Sequence, residues 1–271
     1  MPELPEVETL RRYLEETSLN LKIVDFKAID PKRQITMPFE DFRQEIIGRQ
    51  MADTTRIGKH LLVGLDNGVV LSLHFGMTGD LHYYRLPEDA PRFERATFYF
   101  ENGFKLAFVD SRKFGRIGLW ESKTLYKTAK KLGPDALEIS PEDLWKNLKK
   151  RKSPIKPALL DQKILAGIGN WLVDEILYQA ELHPEKIAAD ITREELKRLV
   201  AATQNVLQIS VEKEAIYREL PASWLIHSRE WDNSPHPEKE AHKNCARCHS
   251  GIIKITVGGR ATYLCPACQQ K

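Results

Sequence analysis

The chain has 271 residues, 42% of them hydrophobic and 29% charged, with a formal net charge of +3. That length supports two compact domains, and that composition excludes an intrinsically disordered chain. No stretch of about 18 or more consecutive apolar residues occurs, so no membrane span is expected. The start MPELPEVETL lacks the basic and apolar regions of a secretory leader, which points to work inside the cell.

Residues 4–16 place Leu4, Val7, Leu10 and Leu14 at helical spacing, with Pro5 in the first turn, where a missing N–H costs nothing. Residues 21–110 read as β structure. LKIVDFKAI alternates, HLLVGLDNGVVLSLHF folds back at Asp66-Asn67-Gly68, and ATFYFENGFKLAFVD folds back at Asn102-Gly103. Several hairpins in one stretch predict an antiparallel sandwich or barrel. Residues 140–212 read as helices, with Ser140-Pro141 opening one and the pair Thr192 and Glu195 opening another as a capping box. Between them, Lys149 to Pro157 is basic and holds two prolines, the composition of a linker or exposed hinge. Gly167-Ile168-Gly169-Asn170 splits two further helical stretches.

All four cysteines lie in the last 27 residues, as C-x2-C, sixteen residues, C-x2-C: Cys245, Cys248, Cys265 and Cys268. This is the spacing of a structural four-thiolate zinc site, each pair converging on one tetrahedral ion. The intervening GIIKITVGGRATYL reads as a hairpin around Gly258-Gly259, with Arg260 just beyond it. Other features carry less on their own. An Asn amide and backbone N–H groups at a helix start make a phosphate seat, although an ordinary turn explains Gly167–Asn170 equally simply. Pro2, once Met1 is removed, offers a secondary amine; α-amines titrate at about 7.7–8.0 in model peptides, so part is unprotonated at neutral pH. Glu3 and Glu6 lie within one turn of it, placed for proton transfer or merely for the helix dipole. Lys59 in RIGKHL, and the basic groups Lys149–Lys152 and Arg112–Arg116, fit either a solvated surface or a phosphate contact.

Taken together, PELPEVET, RIGKHL, HFGMTG, DSRKFGR, LLDQKILAGIGNWLVDEIL and the cysteine tail resemble the bacterial formamidopyrimidine-DNA glycosylase (Fpg or MutM) family, in the same order from residue 2 to residue 268. PELPE looks like this branch rather than the related Nei branch. The resemblance implies an α+β multidomain fold: a catalytic β-sandwich with a long N-terminal helix over 1–135, a helical helix–two-turn–helix domain over 136–240, and a zinc-ribbon finger over 241–271. It implies base excision repair of double-stranded DNA by a bacterial, cytoplasmic, nucleoid-associated monomer. The damaged nucleotide is flipped out, oxidised purines (8-oxoguanine and formamidopyrimidines) are excised, and the strand is cut by β,δ-elimination as in an abasic-site lyase.

By position, the resemblance makes Pro2 the Schiff-base nucleophile, Glu3 the acid/base, and Lys59 a proton-transfer and phosphate residue, with Glu6 in support. Asn170 and Arg260 would grip phosphates, Arg260 also serving the second elimination. Met77, Arg112 and Phe114 would fill the gap left by the flipped base, and Lys152 and Lys156 lie where the family contacts DNA. One structural zinc ion is implied at the four cysteines.

Departures bear on specificity. Family histidines before the second hairpin are replaced by RFERATFYF, which gives Arg95 a possible DNA role. In 211–240 the family's glycine-rich lesion loop is not recognisable, and Trp224, His227 and Arg229 stand in its place. That stretch looks closer to the plant and fungal branch. A Nei-like enzyme acting on oxidised pyrimidines and a catalytically silent damage binder are the alternatives.

Overall fold

In the computed structural model, which describes residues 1–229 and 244–271, helix formation starts almost at the first residue. Helix α1 (Leu4–Ser18) buries Leu4, Val7 and Leu14, the stripe expected from their spacing, and Leu10 packs against the same core. The chain divides into two units, Met1–Lys131 and Leu132–Lys271.

The first unit holds two four-stranded antiparallel sheets. Strands β1 (Ile23–Ala28), β6 (Glu94–Phe100), β7 (Lys105–Asp110) and β5 (Gly79–Tyr84) form one, in the order β1-β6-β7-β5. Strands β2 (Met51–Ile57), β3 (His60–Leu65), β4 (Val70–His74) and β8 (Arg116–Trp120) form the other, in that order. Both expected asparagine-glycine turns are present, with Gly68 at φ +86° and Gly103 at φ +82°, where an L side chain is strained. Inward residues of both sheets share one core with α1. Phe26, Phe98 and Phe108 are each at most 1% exposed, and each contributes about 2–3 kcal/mol of burial.

The β reading of 21–110 needs a correction. Two helices interrupt it, α2 (Pro31–Gln34) and α3 (Phe39–Ile46). Pro31 sits at the start of α2, and Phe39, Phe42 and Ile46 fall on one helical face that buries Phe42 and Ile46. Helix α4 (Lys123–Ala129), capped by Ser122, follows β8.

In the second unit, α5 (Pro141–Lys149) starts at the Ser140 cap, and α8 (Arg193–Glu212) starts with the Thr192–Glu195 capping box. The expected linker is non-helical only over residues 150–154; its end enters helix α6 (Ile155–Leu160), with Pro154 at its cap and Ile155 and Lys156 buried. Proline at a helix start continues structure rather than breaking it. Helix α7 (Asn170–Gln179) follows the glycine turn, and strands β9 (Ile253–Val257) and β10 (Arg260–Leu264) pair across Gly258 and Gly259. Tyr178, Leu225, Cys245, Tyr263 and Cys265 share a small core, so the cysteine hairpin packs within the same unit as the helices.

Candidate active site and metal centre

At the N-terminus, Glu3 is the N-cap of α1 and only 3% exposed. The Glu6 carboxylate accepts the Glu3 N–H at 3.0 Å, one half of a capping box. Pro2, partly exposed, stands directly outside the helix. Successive contacts show how the helix runs along β2. Glu15 accepts from the Thr54 hydroxyl, and Glu8 accepts from Arg56 Nε at 3.1 Å. Helix numbering falls as strand numbering rises, so Pro2 and Glu3 lie toward the β2–β3 turn, where Gly58 adopts φ +58° beside Lys59. Burial opposes charge on Glu8, yet the hydrogen bonds and charges of Arg11 and Arg56 outweigh it and hold its carboxyl below the usual range.

Lys59 is 7% exposed. Next to it, His60 on β3 and His74 on β4 are cross-strand partners with ring centroids 4.7 Å apart. Burial, the His74 ring and the charges of Lys130 and Lys59 push His60 down to about 3. Burial with the charges of Lys59, Lys130 and Arg116 pushes His74 down to about 4. Both rings are therefore neutral at pH 7. His60 Nδ1 meets the Tyr126 hydroxyl at 2.7 Å, and His74 Nδ1 accepts the Gly76 N–H at 3.2 Å. The sequence gives no periodic signal for this pair, because only strand register brings two distant histidines together.

Met77, Arg112 and Phe114 come together on two adjoining loops of this unit. The Thr78 hydroxyl donates to Asp110 Oδ1 at 2.6 Å, and a Cβ on Gly76 would stand 2.6 Å from the Phe114 carbonyl carbon. That close approach needs glycine. Met77 and Phe114 are 40% and 45% exposed, and the Arg112 guanidinium lies 5.4 Å from the Phe114 ring centroid. Arg95, from the substituted stretch, donates through Nε to the Asp110 carbonyl at 2.7 Å. It braces this loop.

In the second unit, Gln162 clamps the glycine turn, donating to the Ile168 carbonyl and accepting from the Gly167 N–H, both at 2.9 Å. Gly167 adopts φ +112°. Asn170 is the first residue of α7, after the Gly169 cap, and its Nδ2 donates to the Ala261 carbonyl at 3.0 Å. Arg260, exposed at the start of β10, therefore sits one residue from the Asn170 contact. Lys152 is exposed. Lys156 corrects the expectation of a DNA contact: its side chain is 0% exposed and its ammonium donates to Asp174 at 2.7 Å, Thr262 at 2.8 Å and the Ala261 carbonyl at 2.9 Å. A phosphate cannot reach an ammonium so enclosed. Arg229, His227 and Trp224 are likewise buried; residues 230–240 of the atypical stretch lie outside the described residues. Glu175, beside Asp174, accepts the Ile226 N–H at 2.9 Å, and burial pushes its carboxyl up to about 7.

The four cysteine sulfurs lie within 4.8 Å of one another. A tetrahedral ion with bonds of about 2.3 Å spaces its sulfurs by about 3.8 Å. Cys245–Cys268 at 3.8 Å, Cys248–Cys268 at 3.5 Å and Cys248–Cys265 at 3.4 Å fit that tetrahedron. The Tyr178 hydroxyl, 3.1 Å from Cys245 Sγ, is placed to donate to a thiolate.

Two family patterns match the chain: the formamidopyrimidine-DNA glycosylase N-terminal domain over residues 1–117 and the formamidopyrimidine-DNA glycosylase H2TH domain over 132–220. The formamidopyrimidine-DNA glycosylase of Pelotomaculum thermopropionicum is 36% identical, covering 100% of this chain and 99% of that protein. The Lactococcus lactis enzyme, solved non-covalently bound to DNA containing an AP site, superposes with a TM-score of 0.86 at 31% identity, covering 99% of this chain and 100% of that one. A MutM structure in complex with DNA containing carbocyclic 8-oxo-G gives 0.84 at 33% identity, covering 100% of both chains. With both domain patterns and near-complete relatives in agreement, the chain belongs to the formamidopyrimidine-DNA glycosylase family.

Proposed function

We propose that this protein is a bifunctional DNA glycosylase and abasic-site lyase of base excision repair, acting on double-stranded DNA at 8-oxoguanine and formamidopyrimidines. One observation carries the reading: Glu3 is buried at the N-cap of α1, with Pro2 directly outside the helix and the Lys59 turn at the same end of β2.

Met1 is removed, and the neutral Pro2 nitrogen attacks C1′ of the flipped nucleotide. The bond from C1′ to the base breaks, and the base leaves with a proton. Glu3 protonates the sugar ring oxygen as the ring opens to an iminium. The iminium acidifies the neighbouring C–H, so proton loss expels the 3′ phosphate. A second proton loss, assisted by Arg260, expels the 5′ phosphate. Water then hydrolyses the iminium and frees Pro2. Lys59, kept close to the neutral His60 and His74, moves protons and holds a phosphate. Glu6 keeps the Glu3 backbone in place.

Asn170, Arg260 and the exposed Lys152 hold phosphates, which fix register. Met77, Arg112 and Phe114 enter the gap left by the flipped base and offset the lost stacking. Cys245, Cys248, Cys265 and Cys268 hold one zinc ion, which fixes the hairpin carrying Arg260 and leaves no coordination position for substrate. The protein acts as a monomer on DNA in the bacterial cytoplasm.

Borohydride trapping tests this reading. Purified protein, an 8-oxoguanine:cytosine duplex and borohydride should yield a covalent adduct that peptide mapping assigns to Pro2. An adduct formed on an abasic duplex alone would keep the chemistry and move the lesion preference. No adduct on either duplex would leave the silent binder as the better account.

A further inference from the structure

Asp174 on α7 is buried, and its carboxylate gathers groups from three other parts of the second unit. Oδ1 accepts from Lys156 of α6 at 2.7 Å, and Oδ2 accepts from Arg229 at 2.6 Å and from the Tyr263 N–H of β10 at 3.2 Å. The same Arg229 nitrogen donates to the Asn170 carbonyl at 3.2 Å, and its guanidinium lies 4.9 Å from the Tyr263 ring centroid. Lys156 extends the network to Ala261 and Thr262, whose hydroxyl donates to the Arg260 carbonyl at 3.0 Å. Asn170 itself reaches Ala261. The two residues assigned above to flanking phosphates are thus tied to one carboxylate.

We propose that Arg229 is a positioning residue for the phosphate-holding pair Asn170 and Arg260. The inference rests on the DNA reading of those two residues. Arg229 comes from the stretch that departs from the family pattern, so in this chain that stretch supplies support for phosphate binding from beneath. Its guanidinium fits the task because two hydrogens of one nitrogen span Asp174 and the Asn170 carbonyl while the plane packs on Tyr263. A lysine ammonium keeps the charge and loses the stacked fork. Without Arg229, the Asn170 carbonyl and the Asp174 carboxylate lose the donor they share, so the first turn of α7, and with it the Asn170 amide that reaches Ala261, is held less rigidly. A loosened anchor weakens binding more than it slows chemistry in a complex already formed.

The test is a double-mutant cycle on equilibrium binding to a duplex carrying a tetrahydrofuran abasic analogue. Arg229→Gln should raise Kd about tenfold in the wild-type background and by less than about twofold in the Asn170→Ala background. At saturating enzyme, single-turnover cleavage of an abasic duplex should fall by less than about threefold, and Arg229→Lys should restore binding only in part. If Arg229→Gln raises Kd equally in both backgrounds, it acts by general destabilisation and the inference is overturned; an unchanged Kd overturns it too. Should Arg229→Gln melt below the assay temperature, the Arg229→Lys cycle gives the same reading. Wild-type protein that neither binds nor cleaves these duplexes would instead overturn the DNA reading itself, a separate result.

Discussion

Asp110 Oδ2 accepts the Gly115 N–H at 2.7 Å and so closes the loop that presents Arg112 and Phe114. Its other oxygen accepts from Thr78 at 2.6 Å and from the Arg112 N–H at 3.1 Å, joining the Met77 loop to the same carboxylate. Burial works to raise this carboxyl, but hydrogen bonds from Thr78 and the backbone of Gly115, Arg112 and Lys113 outweigh it and hold the group below its ordinary range. Its contribution is therefore present above the ordinary carboxylate range and lost as pH falls through the depressed value.

Asp110→Asn should accordingly cost about 1–3 kcal/mol, because one acceptor becomes a donor facing N–H groups. Excision of 8-oxoguanine should slow about tenfold, and cleavage at a preformed abasic site less, since a nucleotide without a base has less stacking to give up on flipping. Equal slowing on both duplexes would show that the loop does not act in base displacement.

Much of this arrangement is legible in the sequence, and the exceptions share a cause. Helix α1, the two asparagine-glycine hairpins and the cysteine hairpin follow from local spacing, because each is specified by residues a few positions apart. Helices α2 and α3 are hidden by prolines that read as breaks but stand at helix starts. The His60–His74 pair and the Lys156–Asp174–Arg229 network depend on register and packing between distant segments, which no local pattern encodes. Lys156 shows the consequence. A lysine in a basic run looks solvent-facing, yet α6 turns it inward toward an aspartate eighteen residues on.

The neutral histidine pair predicts an acid-sensitive first unit. An unfolded histidine titrates near about 6.5, whereas folded His60 and His74 take up a proton only at about 3 and about 4. Below about pH 6.5 the unfolded chain binds protons that the folded chain refuses, so stability is full above that pH and falls beneath it. Between pH 7 and pH 5 each histidine should remove about 2 kcal/mol. Urea unfolding at the two pH values should show a smaller loss in His60→Gln than in the wild type. An unchanged difference would mean that His60 is not a source of the sensitivity.

Metal removal should act on the second unit. One zinc per chain should be measured by elemental analysis, and a strong chelator should release it. The melting temperature and affinity for an abasic duplex should fall together, because the hairpin that carries Arg260 shares its small core with Cys245, Cys265 and Tyr178. Helical circular dichroism should largely persist, since α5 and α8 form through their own caps. Cys248→Ser should reproduce the loss without chelator. Full binding by zinc-free protein would separate the metal from phosphate holding.

Salt dependence distinguishes an exposed phosphate contact from a buried brace. Each phosphate neutralised contributes about −0.9 to the slope of log K against log salt. Arg260 is exposed, so Arg260→Gln should flatten that slope by about 0.9 with little change in melting temperature. Lys156 is enclosed by Asp174, Thr262 and the Ala261 carbonyl, so Lys156→Gln should leave the slope unchanged. Its cost should appear as stability, about 3–5 kcal/mol, because Asp174, itself buried, loses one of its two cations. Fluorescence binding titrations across a salt series, with thermal melts of the same variants, measure both quantities. A flattened slope in Lys156→Gln at unchanged stability would place that ammonium on the DNA after all, and the buried network around Asp174 would have to open when DNA binds.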